Sequence, residues 1–193
     1  MSAALAPSGV VVPAVEDDGT GPLFEVVDGV KVEKHMSLES QTIGFEIAFW
    51  LRLHLHEKQV EGHVVTEPFV VCFDWMPDTR RRPDVAYWYK AQYPDGIPAK
   101  GDASVAPALA IEVASPHDNV FELERKVGEY FRAGVQLVWI INPEARTVRT
   151  EQPDGTAHVY RDGDTLVGGP VLPKFTVEVA KLFAKTASSQ TGV

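Results

Sequence analysis

The run Pro107-Ala108-Leu109-Ala110-Ile111-Glu112-Val113 is apolar at every position but one. A strand with apolar side chains on both of its alternating faces must be covered on both sides. A second run of this kind, Val135 to Ile141 (VQLVWII), follows after a single amphipathic stretch, residues 119–133. That stretch reads as a helix, with Asn119 as N-cap, Glu122 completing a capping box and Gly134 closing it. Two buried strands joined by a helix are the unit of an α/β domain on a mixed sheet. The exception, Glu112, sets the chemistry. An ionised carboxylate in a covered strand is costly unless an arginine, a lysine or a bound cation pairs with it.

A second acid is placed in the same way. Asp84 follows Pro83 at the start of the strand Pro83 to Trp88. Side chains alternate, so Asp84 shares a face with Ala86, and Glu112 shares one with Ala110 and Ala114. Small neighbours leave room beside both carboxylates, which suits a site better than a packed core. On the 119–133 helix, Val120, Leu123, Val127, Tyr130 and Phe131 form the face toward the sheet, and Lys126 lies at its border. A lysine there can snorkel over the sheet edge to strand-borne carboxylates. Spacing alone favours a surface pair with Glu122, one turn earlier. Two carboxylates suit a hard divalent cation, and a lysine beside them suits phosphodiester hydrolysis.

The rest of the chain frames these residues. Residues 23–34 read as two short strands forming a hairpin around Asp28-Gly29. Residues 38–57 read as a helix with Ile43, Ile47, Trp50 and His54 on one stripe, where His54 is a core histidine with a satisfied hydrogen bond. Residues 64–73 read as a strand with an edge-type Pro68, followed by a charged turn, Asp78 to Arg82, and by a loop over 92–106. Arg146 to Glu151 and Thr156 to Tyr160 make a second hairpin, and a small helix lies near Val179–Phe183. Gly168-Gly169 reads as a turn. Trp75, Trp88 and Trp139 read as core or interface rather than base-stacking platforms. Residues 1–21 read as a loose leader rather than a signal peptide, for they lack early basic residues and contain Pro7 and Pro13; residues 185–193 read as a flexible tail around a domain over 22–184.

Composition narrows the function. Among 193 residues, 27 are acidic and 18 basic, a formal charge of −9. Such a chain does not grip DNA through a broad basic surface. Cys72 is the only cysteine, so a disulfide framework and a thiolate zinc site within one chain are excluded, and a reducing, cytoplasmic setting is expected. Within the apolar run Phe69 to Phe73 it reads as a buried, inert thiol. No apolar stretch is long enough to span a membrane, and no glycine-rich phosphate loop runs from a strand into a helix.

The strings Pro83-Asp84-Val85, Ile111-Glu112-Val113-Ala114-Ser115-Pro116, Glu124-Arg125-Lys126 with Tyr130, Gly134-Val135, and Val138-Trp139-Ile140-Ile141-Asn142-Pro143 resemble, in order and spacing, the Uma2 family, also known as DUF820. Phe24-Glu25-Val26-Val27-Asp28-Gly29 resembles the family's opening, and Leu172-Pro173-Lys174-Phe175 with Leu182-Phe183 its close, so the likeness covers about residues 22–184. These are bacterial proteins assigned to the PD-(D/E)XK nucleases. The resemblance implies a restriction-endonuclease-like α/β fold: a mixed central β-sheet flanked by helices, with extra β-hairpins. It implies a Mg2+-dependent endonuclease, with Mn2+ as a substitute, hydrolysing DNA phosphodiester bonds. Asp84 and Glu112 match the metal-binding acids, with the Val113 backbone carbonyl as a further ligand and Glu25 as an added acid. The superfamily's usual lysine position is Ala114 here, and Lys126 on the following helix takes its place as the third catalytic residue.

One departure stands out. Relatives usually carry a histidine just before the first helix, where this chain has Ser40 and then Gln41, with His35 five residues early. Two further roles stay open on the residues alone: Arg80-Arg81-Arg82 is either a phosphate-binding turn or a solvated one, and His117 is either near a substrate phosphate or a loop histidine without a role. The alternatives to a DNA nuclease are a non-catalytic binding or structural module that keeps the fold, and a metal-dependent hydrolase of another phosphoester. A homodimer is expected, with the hairpins at 23–34 and 146–160 offering edges.

Overall fold

The computed structural model describes residues 21–70, 73–115 and 118–183. Cys72 and His117 lie outside them. The first hairpin forms as expected: β1 (Phe24–Val27) pairs antiparallel with β2 (Val30–Glu33). Asp28 and Gly29 take positive φ angles of 51° and 77°, the twist a two-residue hairpin loop demands. Helix α1 (Leu38–Lys58) follows, capped by Ser37, whose hydroxyl accepts from the Ser40 N–H.

Six strands make the central sheet: β3 (Gly62–Thr66), β4 (Val85–Tyr89), β5 (Leu109–Val113), β6 (Leu137–Asn142), β7 (Thr147–Glu151) and β8 (Ala157–Arg161), in that spatial order. Only β5 and β6 are parallel, because only they are joined by a helix, α2 (Val120–Ala133), long enough to cross over. A small hairpin of β9 (Thr165–Val167) and β10 (Thr176–Glu178) closes the domain, followed by a 3-10 turn over Val179–Lys181. The strand expected over 64–73 is shorter. It stops at Thr66 because Glu67 turns left-handed (φ 53°) and Pro68 has no N–H to offer a ladder.

Alternation sorts the core into two layers. Val85, Tyr87, Leu109, Ile111, Trp139 and Ile141 face α1, meeting Ile43, Ile47 and Leu51. Ala86, Trp88, Ala110, Val138 and Ile140 face α2, meeting Val127 and Tyr130. Trp88 and Trp139 are fully buried, as expected of core residues. His54 is buried against the ring of Phe175 and bonds the Pro173 carbonyl, the satisfied core histidine anticipated from the helical stripe. The expected α2 face needs one correction: Val120 is exposed, since the first turn of the helix overhangs the sheet.

Candidate active site

Glu112 belongs to the α2 side of β5, with Ala110, and Asp84 stands one residue before β4 on the side of Ala86. Both carboxylates are buried, at 4% and 3% exposure. Asp84 Oδ2 accepts the Val113 N–H at 2.5 Å, which ties the first acid to the main chain beside the second. Glu112 Oε1 accepts the Tyr130 hydroxyl at 2.7 Å, and Glu112 Oε2 lies 3.3 Å from Lys126 Nζ. Lys126 therefore reaches over the sheet edge rather than pairing with Glu122. That expected surface pair is absent because Glu122 turns instead to Arg125 (2.6 Å) and Arg81 (3.2 Å). The same commitment leaves the capping box of α2 incomplete; Asn119 alone caps it, accepting from the Phe121 N–H.

The hairpin delivers a third acid. Val26 exchanges backbone hydrogen bonds with Arg80 (3.0 and 2.7 Å), which brings Glu25 over the sheet end. Glu25 Oε1 accepts the Arg82 N–H at 2.9 Å and lies 3.1 Å from Lys126 Nζ, so Lys126 bridges Glu25 and Glu112. Glu25 Oε2 meets Arg81 Nη1 at 3.0 Å.

The arginine triplet is not a solvated turn. Its backbone is paired on both sides, Arg80 with Val26 and Arg81 with Val70, so it behaves as a short internal strand. Arg81 is buried at 1% exposure, between Glu25, Glu129 (2.6 Å) and Glu122. Arg82 packs over the Phe69 ring, and Arg80 pairs with Asp102.

Two participants escaped the sequence reading. Lys34, just past β2, places its Nζ 2.8 Å from Asp84 Oδ1, 3.1 Å from Glu67 Oε2 and 2.6 Å from the Arg82 carbonyl. Glu67, on the left-handed turn after β3, is the second acid on that lysine. No periodicity marks either residue. Tyr130 did carry a signal: a phenol on a sheet-facing helical stripe must find a buried partner, and it lies one turn beyond Lys126.

The electrostatics follow from burial. Burial raises Glu112 above the ordinary carboxylate range; Lys126 and Lys34 pull it back, and Asp84 and Glu25 push it further up. Burial would raise Glu25 too, but Lys126, Arg81 and the Arg82 N–H outweigh it and hold it below that range. Burial also pushes Glu67 up to about 8 in spite of Lys34. Burial works against both lysine charges, yet Lys126, between Glu112 and Glu25, and Lys34, on Asp84, stay raised and charged. The Tyr130 phenol is held protonated, a pure donor to Glu112.

Glu25, Lys34, Arg81, Asp84, Glu112 and Lys126 line one cleft of about 470 Å³. Ser40 lines it too, but its hydroxyl is spent on the α1 cap, donating to the Ser37 carbonyl and accepting from the Ser37 N–H at 2.9 Å each. His35 is exposed beside Glu33. No three His, Cys, Asp or Glu side chains among the described residues close tightly enough on one point to hold an ion together. The donor chemistry still fits a hard divalent cation: Glu25, Asp84 and Glu112 offer buried carboxylate oxygens, each already in contact with an ammonium group.

The comparisons agree with this architecture. The family model "Uma2: Putative restriction endonuclease" matches residues 12–180. The fold is similar to the crystal structure of a protein from Anabaena variabilis ATCC 29413, titled a putative nuclease belonging to DUF820. Identity is 19%, the match covers 84% of this chain and 90% of that one, and the TM-score is 0.70. No protein of curated function matches the chain. By the extent of the family match, most of the described domain with β1 through β10 included, this chain belongs to the Uma2 family.

Proposed function

We propose that the cleft is the active centre of a Mg2+-dependent endonuclease that hydrolyses DNA phosphodiester bonds, with Asp84, Glu112 and Lys126 as its catalytic residues. The observation that carries this reading is the meeting of two buried carboxylates, from neighbouring strand ends, with a charged lysine from the crossover helix. Membership of the Uma2 family supports the nuclease class. Asp84 and Glu112 would hold the cation, with the Val113 carbonyl and Glu25 as further ligands. When bound, the cation would supply charge stabilisation at the scissile phosphate and a more acidic water.

The chain's own residues have distinct tasks. Asp84 is fixed in direction by the Val113 N–H, and Glu112 by the Tyr130 hydroxyl. Lys126 is charged, so in this arrangement it serves as a hydrogen-bond donor and as a positive charge toward a phosphate, rather than as a base. Ala110 and Tyr130 belong to the buried layer behind the Glu112 carboxylate.

The cleft is lined by six carboxylates and four lysine or arginine side chains, and every one of those four is ion-paired within the chain. DNA binding is then weak and strongly dependent on salt and metal. The same saturation of charges favours a second reading, a nuclease-fold module that binds without cleaving. Incubation of supercoiled DNA with the protein in Mg2+ or Mn2+ separates the two. Cleavage that disappears in Asp84→Ala, Glu112→Ala and Lys126→Ala supports the nuclease; intact DNA with retained metal-dependent binding supports the module. No helix among the described residues is long and apolar enough to cross a membrane. A cytoplasmic homodimer remains our expectation, for which β8, an edge strand of the main sheet, and the exposed β2 offer surfaces.

A further inference from the structure

Lys34 is the one cleft residue whose ammonium sits on the first acid. Its Nζ has a full set of acceptors: Asp84 Oδ1 at 2.8 Å, Glu67 Oε2 at 3.1 Å and the Arg82 carbonyl at 2.6 Å. An ammonium has three donors, so this one is completely engaged, and its side chain is largely covered, at 12% exposure. Asp84 is likewise committed, with Oδ2 on the Val113 N–H and Oδ1 on Lys34. The charge that a divalent cation would bring to Asp84 is therefore already supplied from within the chain. We propose that Lys34 is an internal counter-cation that competes with the divalent metal for Asp84, and that metal entry moves its ammonium off Oδ1.

The surroundings keep the ammonium hydrogen-bonded through such a shift. When Asp84 releases it, the Lys34 ammonium keeps two of its three acceptors, Glu67 Oε2 and the Arg82 carbonyl. Glu67 is held close to Asp84 by the main chain, its N–H donating to the Asp84 carbonyl at 3.0 Å, so the ammonium need travel only a short way. The lysine on the second acid differs. Lys126 bridges Glu112 and Glu25, and among the described residues it has no acceptor beyond that pair. The two lysines thus have separate roles, Lys126 toward substrate and Lys34 toward the metal site's charge balance.

This inference rests on the metal-dependent reading above, and one experiment separates their failures. Mn2+ binding is measured by isothermal titration calorimetry on the wild-type protein, Lys34→Met, Lys34→Gln and Lys31→Gln, with folding checked by circular dichroism. Lys31 lies over the Phe24 ring instead of on Asp84, so its variant controls for net charge alone. Competition predicts a Kd lower by roughly tenfold or more in Lys34→Met and Lys34→Gln, and less than about twofold lower in Lys31→Gln. If the wild type binds Mn2+ and both Lys34 variants bind no more tightly, or more weakly, the inference is overturned and the metal-dependent reading stands. If neither the wild type nor any variant binds, both fall. Should Lys34→Met not fold, Lys34→Gln, which keeps a hydrogen-bond donor to Asp84, decides the sign.

Discussion

The Tyr130 hydroxyl donates to Glu112 Oε1 at 2.7 Å, joining the crossover helix to the buried strand it spans. Lys126, one turn earlier on α2, takes the other oxygen of the same carboxylate. The helix that connects two parallel strands therefore also neutralises the charge buried between them, and fold and site share one set of contacts.

Tyr130→Phe removes this donor and leaves the buried Glu112 Oε1 without its hydroxyl partner. The protein is expected to lose about 1–3 kcal/mol of stability, read as a lower urea midpoint at an unchanged m-value. An unchanged midpoint would show that the hydroxyl contributes nothing net.

Arg81→Met leaves Glu25 and Glu129 buried and facing one another without their shared guanidinium. Breaking a buried ion pair from one side typically costs about 3–5 kcal/mol. The variant should melt far below the wild type. Arg81→Lys should recover only part of the loss, because an ammonium cannot match three carboxylates with a planar fork.

Glu67 gives a pH dependence with a definite sign. Its folded-state pKa is about 8, raised by burial above its ordinary value of 4.5. Between those two values the native state holds a proton that the unfolded state has released. The contribution is full below about pH 4.5 and is lost as pH rises through 8. Metal-free protein should therefore lose stability between pH 5 and pH 8, with Glu112, also raised by burial, adding in the same direction. In Glu67→Gln the loss should be smaller. Denaturant melts at both pH values provide the test, and an equal slope in the two proteins would contradict it.

Binding of a cation at the acids should stabilise the native state by mass action. Mn2+ at about one hundred times its Kd would add about 2.7 kcal/mol, a rise of several degrees in Tm for a chain of this size. Asp84→Ala and Glu112→Ala should each abolish the Mn2+-dependent part of the shift. A shift retained in the double variant would place the cation elsewhere.

Much of this is legible in the sequence. The apolar runs around Glu112 and Trp139 marked the two buried strands, and the Asn119 to Gly134 period marked the helix between them. Period-two alternation put Asp84 on one face with Ala86 and Glu112 on one face with Ala110, and the fold turns both faces toward that helix. These inferences held because they rest on interactions within a few residues, where backbone geometry leaves little choice. Spacing also put Lys126 at the right border of α2, but it favoured Glu122 as partner, and tertiary contacts overrode that.

What the sequence determined by itself was the set of covered strands and the two acids that could not be buried without a cationic partner. Which partner each acid took was decided only by the tertiary structure. Arg81 meets Glu25 across 56 positions and Glu129 across 48, and Lys34 reaches Arg82 across 48. No local periodicity encodes contacts at that separation. They arise because the first hairpin docks beside residues 80–82 and brings Glu25 and Lys34 over the end of the sheet. A buried charge dictates that a counter-charge will be found, while the path of the backbone decides which of the chain's lysines and arginines arrives.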